Sequence, residues 1–131
     1  MEEITFKLSQ RSIDRLQGIH PILIEIAVEG IKDSPYDFGI PQDGGLRTAQ
    51  RQNELFKKGV SKLDGFKKKG RHQEGKAFDI YAFVNGKASW DAKHLKPIAR
   101  HLQSIAKTKG VYLRWGGDWE NFKDLPHFEM L

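Results

Sequence analysis

Apolar residues recur at three- and four-residue steps along two long stretches of this chain, and each stretch predicts a buried helix. The first runs from about Pro21 to Lys32 and carries Ile22, Leu23, Ile26, Ala27 and Ile31 on one stripe. The second covers about Lys93 to Lys109, with Leu95, Ile98, Ala99, Leu102, Ile105 and Ala106 as its apolar face and Gly110 as its end. Proline is tolerated in the first turn of a helix and not beyond, so Pro97 predicts a start later than Lys93. Ser9 is placed to cap a shorter helix to about Leu16, broken off by Gly18 and Pro21. Thr48 is placed to cap another that ends before Gly59, with Lys57 and Lys58 at its negative end.

The remaining apolar runs are short. Ala77 to Val84 reads as one strand closed by the turn-forming pair Asn85-Gly86. "VYLRW" (111–115) and "PHFEM" (126–130) read as two more, separated by the turn "GGDW", and a further short strand is expected near Phe38 to Ile40. Long helices with short strands predict an α+β fold in which a small antiparallel sheet is packed by helices. No repeat or linker interrupts residues 1–131, which predicts one domain.

Composition narrows the chemistry. The chain has 22 basic and 17 acidic residues, a net charge of +5, which favours polyanionic surroundings. "FKKKGR" (66–71) holds much of the excess and reads either as a solvated loop or as a nucleic-acid arm, but no RRM, KH or zinc-finger pattern accompanies it. No apolar run approaches the roughly 20 residues of a membrane helix. The opening "MEEITFKLSQ" has acids where a secretory signal carries bases, so no export signal is expected. With 0 cysteines, any metal must be held by His, Asp or Glu.

Candidate ligands stand in "GRHQEGKAFD" (70–79). Strand alternation puts Ala77, Asp79 and Tyr81 on one face and Phe78, Ile80 and Ala82 on the other. A carboxylate in the middle of such a run is costly unless it is paired or bound to a metal. Gly75 allows a sharp turn that brings His72 back toward Asp79. His127 offers a third ligand, Asp124 stands three residues before it, and Glu129 shares its face in a strand. A catalytic zinc needs three protein ligands and a carboxylate to take a proton from water. His72, Asp79 and His127 suit the first role and Asp124 the second, with Glu129 a supporting partner or an alternative base. Arg47 precedes a helix start, where a cation gains nothing locally, and is better aimed at a ligand oxygen. Each residue alone also has an ordinary reading: His72 in a surface loop, Asp79 in a structural ion pair, His127 hydrogen-bonded in a core, Arg47 in a surface pair.

Together these residues resemble a known family. "HQEGKAFD" fits the H-x-x-G-x-A-x-D motif of the zinc D-Ala-D-Ala carboxypeptidase and L-alanyl-D-glutamate peptidase family, and "WGGDWENFKDLPHFE" resembles its second motif. "GGLRT" with Gln52, "GVSKLDG" and "GIHPIL" resemble the phage and prophage endolysin branch. The resemblance implies a Hedgehog/DD-peptidase-like fold around one Zn2+ held by His72, Asp79 and His127, with Asp124 as general base and Arg47 polarising the scissile carbonyl. It also implies a peptidoglycan hydrolase that uses zinc-activated water to cleave the L-alanyl-D-glutamate bond of the bacterial peptide stem. Such an enzyme would be a monomer, with no nucleic-acid partner and no stable membrane insertion, waiting in the host cytoplasm until released to the wall. One departure stands out: Gly70 occupies a position where the family commonly has serine.

A D,D-carboxypeptidase releasing terminal D-alanine, a non-catalytic metal-stabilised wall-binding module and a basic nucleic-acid binder are the rival readings. His20, His94 and His101 are expected to be bystanders. Asp118, Trp115 and Trp119 are expected around a cleft wall, Asp118 in a structural role.

Overall fold

Ser9 accepts the backbone N–H of Ser12 and starts α1 (Gln10–Arg15), the first regular element of a computed structural model that describes residues 5–131. The Ser12 hydroxyl in turn accepts the Ile40 N–H at 2.9 Å, tying α1 to the segment after β1 (Asp37–Gly39). Helix α2 (Pro21–Gly30) is capped by His20, whose ring nitrogen accepts the Ile22 N–H, and it tightens into a single 3-10 turn at Ile31–Asp33. Thr48 caps α3 (Ala49–Lys57) as the pattern expects.

Helix α4 (Ala92–Thr108) corrects the expectation drawn from Pro97. It begins earlier than Lys93, because Asp91 caps it by accepting the Lys93 N–H at 3.0 Å. Pro97 therefore lies in the helix interior, where its ring takes the place of an N–H that would bond the Lys93 carbonyl. Burial of Leu95, Ile98, Ala99, Leu102 and Ala106 outweighs that lost bond. α4 packs across α2, where a Cβ on Gly30 would meet Leu102 at 2.5 Å.

The expected strand at Ala77 to Val84 is two strands in two sheets. β2 (Ala77–Asp79) pairs antiparallel with β6 (His127–Glu129), which also pairs with β5 (Arg114–Trp115). After Ile80, β3 (Tyr81–Val84) pairs with β1 and with β4 (Lys87–Ser89). Ile80 still donates its N–H to the Pro126 carbonyl at 3.0 Å, the next pair of the β2–β6 register, but Pro126 has no N–H to return and that ladder ends there. Side-chain alternation survives the switch, since Phe78, Ile80 and Ala82 are all fully buried. Asn85 and Gly86 both have positive φ and form the tight turn of the β3–β4 hairpin. The strand expected over 111–115 shrinks to two residues: the Val111 N–H closes α4 on the Ala106 carbonyl, and the Leu113 carbonyl accepts from Gln103. Phe78 and Phe128, opposite each other in register, stack at 5.3 Å and join the sheet to a continuous apolar cluster with α1, α2 and α4.

Candidate metal centre and active site

The β2–β6 register sets Asp79 directly opposite His127 and Ala77 directly opposite Glu129. Ala77 has no bulk to fill the space, and Glu129, two residues along the same face from His127, bends its carboxylate back to that ring at 2.8 Å. His72 arrives from a turn ended by Gly75, whose φ of +70° is left-handed backbone that glycine adopts freely. The Gly44-Gly45 pair receives both arms: the Gly44 carbonyl accepts the Asp79 N–H at 2.7 Å, and the Gly45 carbonyl accepts the His72 Nδ1–H at 2.9 Å. A Cβ on Gly45 would run into the Arg15 carbonyl oxygen, so the close approach requires glycine.

Three donor atoms, one each from His72, Asp79 and His127, lie within 4.8 Å of one another. His72 Nε2 is 3.2 Å and His127 Nδ1 3.1 Å from the same oxygen of Asp79. The group could hold a metal ion, and no second such group occurs among the described residues. The ring nitrogens are already sorted for that task. Gly45 occupies Nδ1 of His72 and Glu129 occupies Nε2 of His127, so Nε2 and Nδ1 respectively face Asp79. Carboxylates that orient an imidazole from its far side also raise its basicity as a ligand.

The electrostatics favour positive charge at this point. Burial alone would lower the His127 pKa, but hydrogen bonds to Asp79 and Glu129 and the charges of Asp79 and Asp124 raise it to about 9. Burial would likewise raise the Asp79 carboxyl, yet its hydrogen bonds with His127 and His72 hold it well below the usual carboxylate range. Glu129 is held low by its bond to His127, against burial and with help from Arg114 and Arg71, each 3.7 Å away.

Asp124 approaches His127 Nδ1 to 4.0 Å and keeps 48% of its side chain exposed, while Asp79 is 16% exposed. Burial first and the Asp79 charge second raise the Asp124 pKa. Arg47 reaches Asp79 Oδ2 at 3.4 Å, so it does point toward the group from its place before the α3 cap. Its Nε–H donates to the Asp43 carbonyl, and a second nitrogen donates to Gln52 Oε1 at 3.3 Å. All six sequence-designated residues, Arg47, His72, Asp79, Asp124, His127 and Glu129, thus meet in one place. Glu129 lies on the ring nitrogen remote from Asp79, which suits the supporting position rather than that of a base.

Other expectations divide. His20 caps α2, His94 bonds Ser89, and His101 bonds the Gly30 carbonyl and Asp33, all as bystanders. Asp118 pairs with Arg100 through two bonds of 2.8 Å, a structural role. Trp119 packs on His127 at 5.3 Å, but Trp115 is 3% exposed and belongs to the core rather than to a cleft wall. Sequence reasoning quoted Gln52 without giving it work. It is buried, bridging Arg47 to Ser61 Oγ at 2.7 Å and the Leu63 carbonyl at 3.0 Å.

An α+β fold that gathers two imidazoles and a carboxylate beside a half-exposed acid is built in the manner of a metallopeptidase. A family model of phage L-alanyl-D-glutamate peptidases matches residues 4–129, and the chain belongs to that family. It is 32% identical over 126 residues to the peptidoglycan L-alanyl-D-glutamate endopeptidase CwlK of Bacillus subtilis (strain 168), covering 86% of this chain and 74% of that protein. The crystal structure of the L-Ala D-Glu endopeptidase ChiX of Serratia marcescens superposes with a TM-score of 0.84 at 31% identity, over 97% of this chain and 91% of that one.

Proposed function

We propose that this chain is a zinc-dependent peptidoglycan hydrolase that cuts the L-alanyl-D-glutamate bond of the bacterial peptide stem. The observation that carries the reading is the meeting of His72, Asp79 and His127 in a chain whose relatives cut that bond. The donor set suits zinc: two imidazoles, His127 neutral once a cation takes the place of its Nδ1 proton, and one carboxylate, with no thiolate, make a three-ligand site of the hydrolytic type. When bound, such a cation supplies Lewis acidity that makes water nucleophilic at neutral pH and polarises a carbonyl.

The chain's own residues do the rest. Glu129 holds the Nε2–H of His127 and so keeps Nδ1 turned inward. Gly45 does the same for His72. Asp124 takes the proton of the attacking water at its carboxylate and delivers it to the leaving glutamyl amine as the C–N bond breaks. A pKa raised by burial suits both halves of that transfer. Arg47, fixed by Asp43 and Gln52, stabilises negative charge as it develops on the L-alanyl carbonyl oxygen. A lysis enzyme of a phage or prophage is the biological setting this chemistry serves. Among the described residues no helix is long and apolar enough to cross a membrane.

The test is to incubate the purified protein with isolated sacculi, with and without a chelator, and to identify the new termini. Free glutamate amines that disappear on chelation and return with zinc are expected. Release of D-alanine instead, or cleavage indifferent to chelation, would overturn the reading.

A further inference from the structure

A glutamate inside a peptide chain keeps one of its two carboxyls free. In the peptidoglycan stem the free one is the α-carboxyl, two bonds from the nitrogen that leaves. An enzyme acting at this bond therefore meets a negative charge, or its amidated form, next to the reacting atoms. Three arginines near the candidate centre already face carboxylates: Arg47 faces Asp79, while Arg71 and Arg114 face Glu129. Lys62 differs. Among the described residues no carboxylate oxygen lies within 4.0 Å of its Nζ, which rests 3.1 Å from the centroid of the Phe122 ring.

Its position is fixed from both sides of the centre. On one side, Ser61 and Leu63 flank Lys62 and are bonded to Gln52, Gln52 to Arg47, and Arg47 to Asp79. On the other side, Phe122 lies two residues before Asp124, which is 4.0 Å from His127, itself 3.1 Å from Asp79. The Lys62–Phe122 contact closes this ring of contacts, with Lys62 and Phe122 both exposed and Asp124 half-exposed. The same loop borders the glycine at position 70. The Leu63 side chain fills the space beside it, and a Cβ there would meet Leu63 Cδ1 at 2.8 Å.

We infer that Lys62 is a carboxylate-binding residue that selects stems whose D-glutamyl α-carboxyl is free over stems in which it is amidated. The inference rests on the proposed cleavage of the L-alanyl-D-glutamate bond. An aromatic face holds an ammonium weakly, so Lys62 is readily given up to a carboxylate.

The experiment uses the metal-loaded protein and two synthetic stem peptides, identical except that one carries D-glutamate and the other its α-carboxamide. Wild type is expected to favour the carboxylate peptide by about tenfold in kcat/KM, mostly through KM, the scale of one partly solvated charge-assisted bond. Lys62→Met should bring the ratio to about 1, and Lys62→Arg should restore most of it. Equal rates on both peptides in wild type, or a ratio that survives Lys62→Met, would overturn the inference and leave the proposed function standing. If neither the peptides nor sacculi are cut at the alanyl bond, both fail together.

Discussion

Histidine 127 is held between two carboxylates, Asp79 on one ring nitrogen and Glu129 on the other, and only the first is proposed to share a cation with it. Replacing His127 with alanine should therefore remove both metal and activity. Asp124→Ala, measured for bound zinc and for turnover, should keep the metal while kcat falls by roughly 10²–10⁴-fold, the usual worth of a positioned general base. Full activity in that variant would overturn the assignment of Asp124 as the base. Asp43 acts one step further out. Its backbone carbonyl accepts from Arg47, and its side chain forms a 2.8 Å ion pair with Arg51. The hydrogen bond from Arg51, stronger than the opposing effect of burial, lowers the Asp43 pKa. A depressed carboxylate stabilises the fold above its unfolded value and loses that contribution as pH falls through the folded one. Asp43→Asn should destabilise by about 1 kcal/mol or less at pH 7, and by progressively less as pH falls below the ordinary carboxylate range, as read from urea midpoints. Asparagine also tolerates the left-handed φ of +64° found at this position, so strain does not confuse the comparison.

At the scale of elements, the helices were legible because each carried either a stripe or a cap: Ser9, Thr48 and the repeat from Leu95 to Ala106 fell where the pattern put them. The strands were less so. Period-two alternation from Phe78 to Ala82 is the same whether the backbone stays in one sheet or changes sheets, and nothing local marks Ile80 as the junction. The six candidate residues could be read because they are chemically odd where they stand, an acid among apolar residues or a cation at a helix start. The carbonyls of Gly44 and Gly45 could not, since a backbone acceptor has no letter. Pro97 misled for a physical reason: propensity weighs one missing bond, whereas the packed face of α4 decides. Restoring that bond by Pro97→Ala should raise stability by about 1–3 kcal/mol in chemical denaturation, and an unchanged or lower midpoint would mean the helix has adapted to the ring.

For the molecule as a whole, a net charge of +5 should draw it to anionic wall material. Retention on sacculi is expected to fall steeply between low salt and about 0.5 M, where screening shortens to a few ångströms, while cleavage of a short soluble peptide changes far less. The junction at Ile80 sets a different kind of limit. Asp79 closes one sheet and Tyr81 opens the next, so only one residue separates the acid from the second ladder. An insertion or deletion of one residue between Ala77 and Val84 would reverse the parity on one side. Either the carboxylate would swing into the oily interior or Ile80 and Ala82 would be turned out to water. The loops can lengthen or drift over evolutionary time, but this octet can change its letters and not its count.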